Sequence, residues 1–190
     1  MRRWIDKIVT VSLQKNYITE EQAPWLHYAL EKRTTILLVA VPFCLLGCSL
    51  SPISTTTAFL FSFYFLRERT SGLHTSSVWV CLITSLVLEF LFLGILPRVM
   101  SREYTSAFAL LSVGYIFIFA PFRCSYIQFT DEEANASAVG VKIRTAVLFV
   151  IWFLLSRAGF LQAADGITYG ILMTAFSLAL AYIKPKERTK

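Results

Sequence analysis

The chain has 190 residues, of which 56% are hydrophobic and only 16% are charged, and its formal net charge is +6. Soluble domains usually carry about 25% charged and about 45–50% apolar residues, so this composition argues against a soluble globular domain. The basic residues lie between and beside apolar blocks rather than in one patch. We therefore expect no nucleic-acid partner.

Residues 1–34 are predicted to form an amphipathic helix that lies on the membrane surface. Its apolar residues recur at helical spacing, at Trp4, Ile5, Ile8, Val9 and Leu13. The charged residues between them would oppose a crossing of the bilayer, whereas the interface accepts them. The alternative is an ordinary amphipathic helix that packs against the rest of the protein.

Six apolar blocks follow, at residues 35–50, 53–66, 78–96, 104–120, 143–160 and 166–183. A helix needs roughly 20 apolar residues to cross about 30 Å of hydrocarbon. The first two blocks are short, so they form either two short spans or a shallow hairpin. The sequence thus predicts an all-α polytopic membrane protein with about six transmembrane helices, in which residues 35–183 form the membrane domain.

The positions of the basic residues predict the orientation of these spans. If the amino terminus is cytoplasmic, fifteen of the eighteen Lys and Arg residues fall in cytoplasmic segments and three in outer segments. Such an excess is the usual sign of the cytoplasmic side. We expect a multi-pass membrane protein, with both termini and the loops at 67–77 and 121–142 on the cytoplasmic side. Residues 184–190 would be a basic cytoplasmic tail.

His74 and Cys81 are the candidate catalytic residues. A cysteine attacks as its thiolate, which a neighbouring imidazole can generate at neutral pH. A continuous helix would separate the two side chains by about 10.5 Å along its axis, so we predict a break near residues 72–77. Ser77 could hydrogen-bond either residue. The alternative is a small buried cysteine and an interfacial histidine without a role.

No metal or cofactor is expected at this pair. One histidine and one cysteine supply two ligands, where zinc takes three or four. A second ionisable residue, Glu89, lies deeper in the same apolar block, where such residues are functional candidates. We interpret Glu89 as a structural partner of nearby polar residues, namely Thr84, Ser85 and Arg157.

The segment from Arg67 to Cys81 resembles the signature of the accessory gene regulator protein B (AgrB) family. That signature reads R-x3-G-G-x-H-x6-C, and the chain matches it at Arg67, Gly72, His74 and Cys81, with Ser71 in place of the first glycine. The resemblance extends over nearly the whole chain and includes the amphipathic start and the polar loop after Ala120-Pro121.

This resemblance implies a cysteine endopeptidase that is embedded in the bacterial cell membrane and processes a quorum-sensing peptide. Cys81 would cleave the carboxy-terminal tail from a small precursor peptide and keep the remainder as a thioester, which then closes to a thiolactone or lactone. His74 would be the general base and acid, and Arg67 and Gly72 would give substrate binding or structural support. The expected partners are the precursor, the lipid bilayer and, since six short spans enclose little volume, a second copy in a homodimer.

The alternative function is a non-enzymatic membrane transporter or scaffold that exports or positions a peptide. Transporters often carry inverted repeats and interrupted helices in matching halves. The sequence has neither feature, and it has no phosphate-binding loop for ATP. These observations favour the enzyme.

Overall fold

The computed structural model describes residues 2–15, 17–70, 78–121 and 131–183. Over these residues all regular secondary structure is helical and no strand is present, which confirms the predicted all-α class. The elements are α1 (Arg2–Gln14), α2 (Ala23–Leu50), α3 (Ile53–Thr70), α4 (Val78–Glu89), a π-helical segment (Phe90–Ile95), α5 (Leu96–Val99), α6 (Arg102–Phe119), α7 (Asp131–Arg157) and α8 (Leu161–Ile183). The tail at 184–190 lies outside the described residues.

Three helical stretches are long and apolar enough to cross a membrane, at Leu82–Val99, Ala136–Arg157 and Leu161–Ile183. A shorter apolar helix covers Leu37–Leu50. Within the described part of the chain, these findings agree with a helical membrane protein. The count of six spans stays a prediction.

The chain divides into two compact units, Met1–Pro42 and Phe43–Lys190. In the first unit, residues 1–34 do not form the single continuous helix predicted for them, because helix is absent at the described residues 17–22. The side chain of Gln22 accepts a hydrogen bond from the Thr19 amide at 3.2 Å and closes the turn that precedes α2. Pro24 then suits the first turn of α2, where its missing N–H costs nothing.

Helix α1 exposes apolar side chains, among them Trp4, Ile8 and Val11. His27 of α2 approaches Asp6 of α1 at 3.0 Å between Nε2 and Oδ1. The apolar surface of α1 is compatible with an interfacial position. That position stays a prediction.

Helix α8 is the central helix of the second unit and contacts α3, α6, α7 and the π-helical segment. Thirteen of the 23 residues of α8 are buried, whereas only Val141, Thr145 and Leu148 are buried between residues 136 and 157 of α7. The buried core draws on α3, α6, α7 and α8, through Leu66, Ile116, Ala120, Val141, Leu148, Ile167, Ile171, Ala175 and Leu178. Helix α8 is therefore enclosed by its neighbours, whereas α7 lies at the outside.

Two glycines let α8 approach α3 closely. A Cβ on Gly166 would overlap the carbonyl oxygen of Thr55, and one on Gly170 would overlap the hydroxyl of Ser62. Glycines four residues apart form such a stripe in membrane helices, where small residues bring two backbones together. The spacing Gly166-x3-Gly170 thus sets the distance between α3 and α8.

The outward faces of the helices are apolar. Soluble monomers rarely expose contiguous apolar patches of more than a few hundred Å². Here large apolar side chains are exposed along several helices, for example at Ile83, Val87, Leu111, Ile118, Phe153 and Leu154. Such a surface suits a hydrocarbon environment better than water.

Helix α7 ends in a tight turn that leads directly into α8. Gly159 adopts a φ of +82°, which L side chains rarely adopt. The Phe160 amide then donates to the Leu155 carbonyl at 3.0 Å, as expected for a glycine-terminated helix. Nearby, the Arg102 guanidinium pairs with Asp165 at 2.8 Å and fixes the start of α6 to the start of α8.

Candidate active site

The structure describes two of the five candidate site residues. Arg67 lies in the last turn of α3. The backbone of Cys81 lies in the first turn of α4, which begins at Val78. His74, Gly72 and Ser77 lie outside the described residues, and so does the helix break predicted at 72–77.

Arg67 connects α3 to α8. Its Nη1 donates a hydrogen bond to the Ser177 hydroxyl at 3.1 Å. The Ser177 side chain is only 5% exposed, so this contact lies inside the helix bundle. An arginine at a helix carboxy terminus is also favoured by the helix dipole. The first residue of the motif is thereby held between two helices.

Arg144 of α7 contacts the same turn from another side. Its Nη1 donates to the Phe65 carbonyl at 2.8 Å and to the Glu68 carboxylate at 2.6 Å. Its guanidinium also lies 4.7 Å from the centre of the Phe65 ring, within the range of a cation–π contact. Charge-assisted hydrogen bonds are the stronger ones in proteins. Arg144 therefore fixes the end of α3 against α7.

Arg69 makes two further contacts with α7. The hydroxyl of Ser137 donates to the Arg69 carbonyl at 3.4 Å. The Arg69 side chain passes Gly140, where an added Cβ would lie 3.9 Å from the arginine Cδ. Together with the contacts of Arg67 and Arg144, these hold the last turn of α3 on two helices. This turn leads directly into the segment that carries Gly72 and His74.

The sequence did not predict these partners. Ser177 is separated from Arg67 by 110 positions along the chain, and Arg144 is separated from Glu68 by 76. No local pattern encodes contacts at such separations. One signal was present in the sequence, namely the stripe of small residues on α8, because Gly166, Gly170, Thr174 and Ser177 follow one another at helical spacing.

Glu89 does not have the surroundings that we predicted for it. Its carboxyl oxygens have no hydrogen-bond partner among the described residues. Arg157, one of the predicted partners, instead lies over the Phe153 ring at 5.8 Å. Gly47 and Thr56 border the carboxyl group.

In the described part of the chain, no group of three or more His, Cys, Asp and Glu residues could hold a metal ion. Cys44 and Cys48 are free and exposed.

Replacing Arg144 by alanine should destabilise the bundle more than the same change at Arg157. Arg144→Ala removes two hydrogen bonds and a ring contact at the end of α3, so we expect a loss of about 1–2 kcal/mol in the free energy of unfolding. Arg157 lies on the same helix and contacts the Phe153 ring on an exposed face. Unfolding of both variants in detergent micelles measures the difference. Equal losses would contradict the role given to Arg144.

Comparison with known proteins gives one match. A model of the family described as Accessory gene regulator B matches residues 2–178. No curated protein and no solved structure matches the chain.

Proposed function

The chain belongs to the accessory gene regulator B family, whose members act in quorum-sensing peptide processing, and we propose that it is the cysteine endopeptidase of such a system. Its substrate is a small precursor peptide. It cleaves the carboxy-terminal tail from this peptide and promotes cyclisation of the remainder.

The observation that carries the proposal is the family match over residues 2–178 together with the motif inside it. The motif runs from the last turn of α3, at Arg67, to the first turn of α4, at Cys81. The thiolate is the nucleophilic form of cysteine, and a neighbouring imidazole can generate it at neutral pH. Cys81 and His74 of the motif are proposed to form this pair.

In the first step, the Cys81 thiolate attacks the carbonyl carbon of the scissile peptide bond and forms a tetrahedral intermediate. The bond to nitrogen then breaks, and His74 as imidazolium gives its proton to the leaving amine. The tail departs with a new amino terminus. The rest of the precursor stays bound to Cys81 as a thioester.

In the second step, a cysteine thiol or serine hydroxyl of the bound peptide attacks the thioester carbonyl. His74 takes the proton of this group, and the Cys81 thiolate leaves. The product is a thiolactone or a lactone. Ring closure gains from the proximity of the two groups, and a site partly within the bilayer protects the thioester from water.

Arg67 is proposed to support this chemistry without transferring a proton. A guanidinium does not deprotonate in proteins, so it cannot be the general acid. Its hydrogen bond to Ser177 favours a structural role, and its charge suits an acidic group of the substrate. Gly72 and Ser77 complete the proposed supporting residues, with Gly72 allowing the backbone to turn and Ser77 offering a hydroxyl near the catalytic pair.

The proposal is tested by co-expressing the chain with the short precursor encoded beside its gene. Mass spectrometry of cells and medium follows the full-length precursor, the released tail and the cyclic peptide. The enzyme should yield the free tail and a product that has lost one water relative to its linear form. A transporter or scaffold would yield intact precursor alone.

The proposed orientation gives a separate prediction. Both termini and the active site should face the cytoplasm, whereas the turn between α5 and α6 should face outside. A reporter that fluoresces only in the cytoplasm should be bright after residue 190 and dark after residue 100. The excess of basic residues on one side is the physical reason. Fluorescence of both fusions would contradict this topology.

A further inference from the structure

Glu89 is a buried carboxyl group that the proposed peptide chemistry does not use. It is the last residue of α4, directly before the π-helical segment, and its side chain is fully buried. Neither carboxyl oxygen has a hydrogen-bond partner among the described residues. A buried, unpaired carboxylate costs several kcal/mol, so such a group becomes neutral or binds a cation.

The carboxyl group and a threonine hydroxyl face the same point beside Gly47. A Cβ on Gly47 would lie 3.0 Å from Glu89 Oε1 and 3.4 Å from Thr56 Oγ1. Thr56 is 2% exposed, and its hydroxyl also has no hydrogen-bond partner in the described part of the chain. Two buried polar groups thus lie close to the same point on α2, where Gly47 has no side chain.

Two backbone carbonyls of these helices accept hydrogen bonds from Ser51. The Gly47 carbonyl accepts from the Ser51 amide at 2.9 Å, and the Leu93 carbonyl accepts from the Ser51 hydroxyl at 3.3 Å. The carboxyl group of Glu89 and the hydroxyl of Thr56 together supply three oxygens, whereas hard cations such as calcium and magnesium take six or more. A proton needs a single oxygen.

We propose that Glu89, facing Thr56 across Gly47, is an intramembrane proton-binding site. The carboxyl group holds the proton on one oxygen, and the hydroxyl of Thr56 is its polar neighbour. A protonated carboxyl both donates and accepts, as a threonine hydroxyl does, so the two groups are complementary. Ionisable residues at membrane depth commonly serve as proton carriers.

The helix beside the site supports this assignment. The π-helical segment Phe90–Ile95 starts at the residue after Glu89. Segments of this kind interrupt the regular ladder of hydrogen bonds and often mark functional positions. The helix can therefore rearrange at this interruption, directly after Glu89, when the charge of the carboxyl group changes. This site does not depend on the peptide chemistry proposed for Cys81.

Infrared difference spectroscopy of the full chain in liposomes at neutral pH tests the proposal. The spectrum of wild type minus Glu89→Gln should contain the carbonyl stretch of a protonated carboxyl group and no carboxylate band. Isotope-labelled glutamate in the wild type should shift the same band, which gives a reading without any variant. A carboxylate band in place of the protonated one would overturn the proposal.

Two alanine variants test the geometry. Gly47→Ala puts a methyl group 3.0 Å from Glu89 Oε1 and 2.5 Å from Thr56 Cγ2, so the carbonyl band should change frequency. Gly114→Ala is the matched control, since nothing lies within 4 Å of its Cβ, and it should leave the band unchanged. An unchanged band in Gly47→Ala would place the protonated group elsewhere. A carboxylate band that depends on sodium, seen on exchange of sodium for choline, would mean a cation site and refute the assignment.

Discussion

Replacing Cys81 by alanine is expected to abolish precursor cleavage in the co-expression assay, leaving full-length precursor and no free tail. The change removes the only atom that forms the thioester, so no partial activity should remain through that route. His74→Ala should lower the rate by about 10²–10⁴-fold, the usual contribution of a general acid–base residue. Mass spectrometry of the cells measures both effects.

Cysteines in another helix supply the control. Cys44 and Cys48 lie in α2, are free and are exposed, so their replacement by alanine removes a thiol without reaching the motif. Both variants should process the precursor at the wild-type rate. Membrane levels of all variants are compared by immunoblot. Cleavage by Cys81→Ala at the wild-type rate would refute Cys81 as the nucleophile, and with it the proposed cysteine endopeptidase.

The class of the fold could be predicted from the sequence because apolar blocks of this length have few alternatives. The block at 78–96 is helical throughout, and the helical structure continues to Val99. The block at 53–66 ended too early, since α3 continues to Thr70. Hydropathy marks where a helix leaves the apolar layer rather than where it ends. The polar turn of α3 remains helical while Arg67 and Glu68 bond to α8 and α7.

For the candidate site, the sequence predicts the residues of the motif but not their partners on other helices. The motif gave Arg67 and Cys81, and the family match confirms the family to which the motif pointed. The partners Ser177 and Arg144 lie on α8 and α7, which follow the motif by many residues. The spacing of residues within the motif cannot predict them. The neighbours of Glu89 were missed for the same reason. The partners predicted for it were Thr84 and Ser85 of the same block and Arg157 of α7, whereas Thr56 lies on α3 and Gly47 on α2.

Replacing Gly170 by alanine is expected to destabilise the protein strongly for a single added methyl group. The Cβ would overlap the Ser62 hydroxyl and lie 3.0 Å from the Phe59 carbonyl oxygen and 3.1 Å from the Phe63 amide nitrogen. Two of these three atoms belong to the backbone of α3, which cannot move without shifting the helix. Overpacking of this kind costs about 1–3 kcal/mol, measured as a lower free energy of unfolding in detergent micelles.

Gly114→Ala, which also places alanine within a helix, is the control for this prediction. Nothing lies within 4 Å of its Cβ, so the better helix propensity of alanine should leave stability unchanged or raise it by up to about 1 kcal/mol. Ser62→Gly should recover part of the loss in Gly170→Ala, because it removes the side-chain overlap and leaves the backbone contacts. Full recovery would mean that the two backbones are not in close contact.

The Gly170→Ala substitution should also lower the catalytic activity, because it displaces α3, the helix that carries Arg67. Gly170 and Ser177 lie two turns apart on α8, and their partners Ser62 and Arg67 lie on α3. A shift of α3 away from Gly170 therefore weakens the bond that holds Arg67. We expect precursor cleavage by Gly170→Ala to fall below wild type even per molecule of folded protein, and Ser62→Gly to restore it in part. Wild-type cleavage in a destabilised Gly170→Ala would separate the packing of these helices from the catalysis.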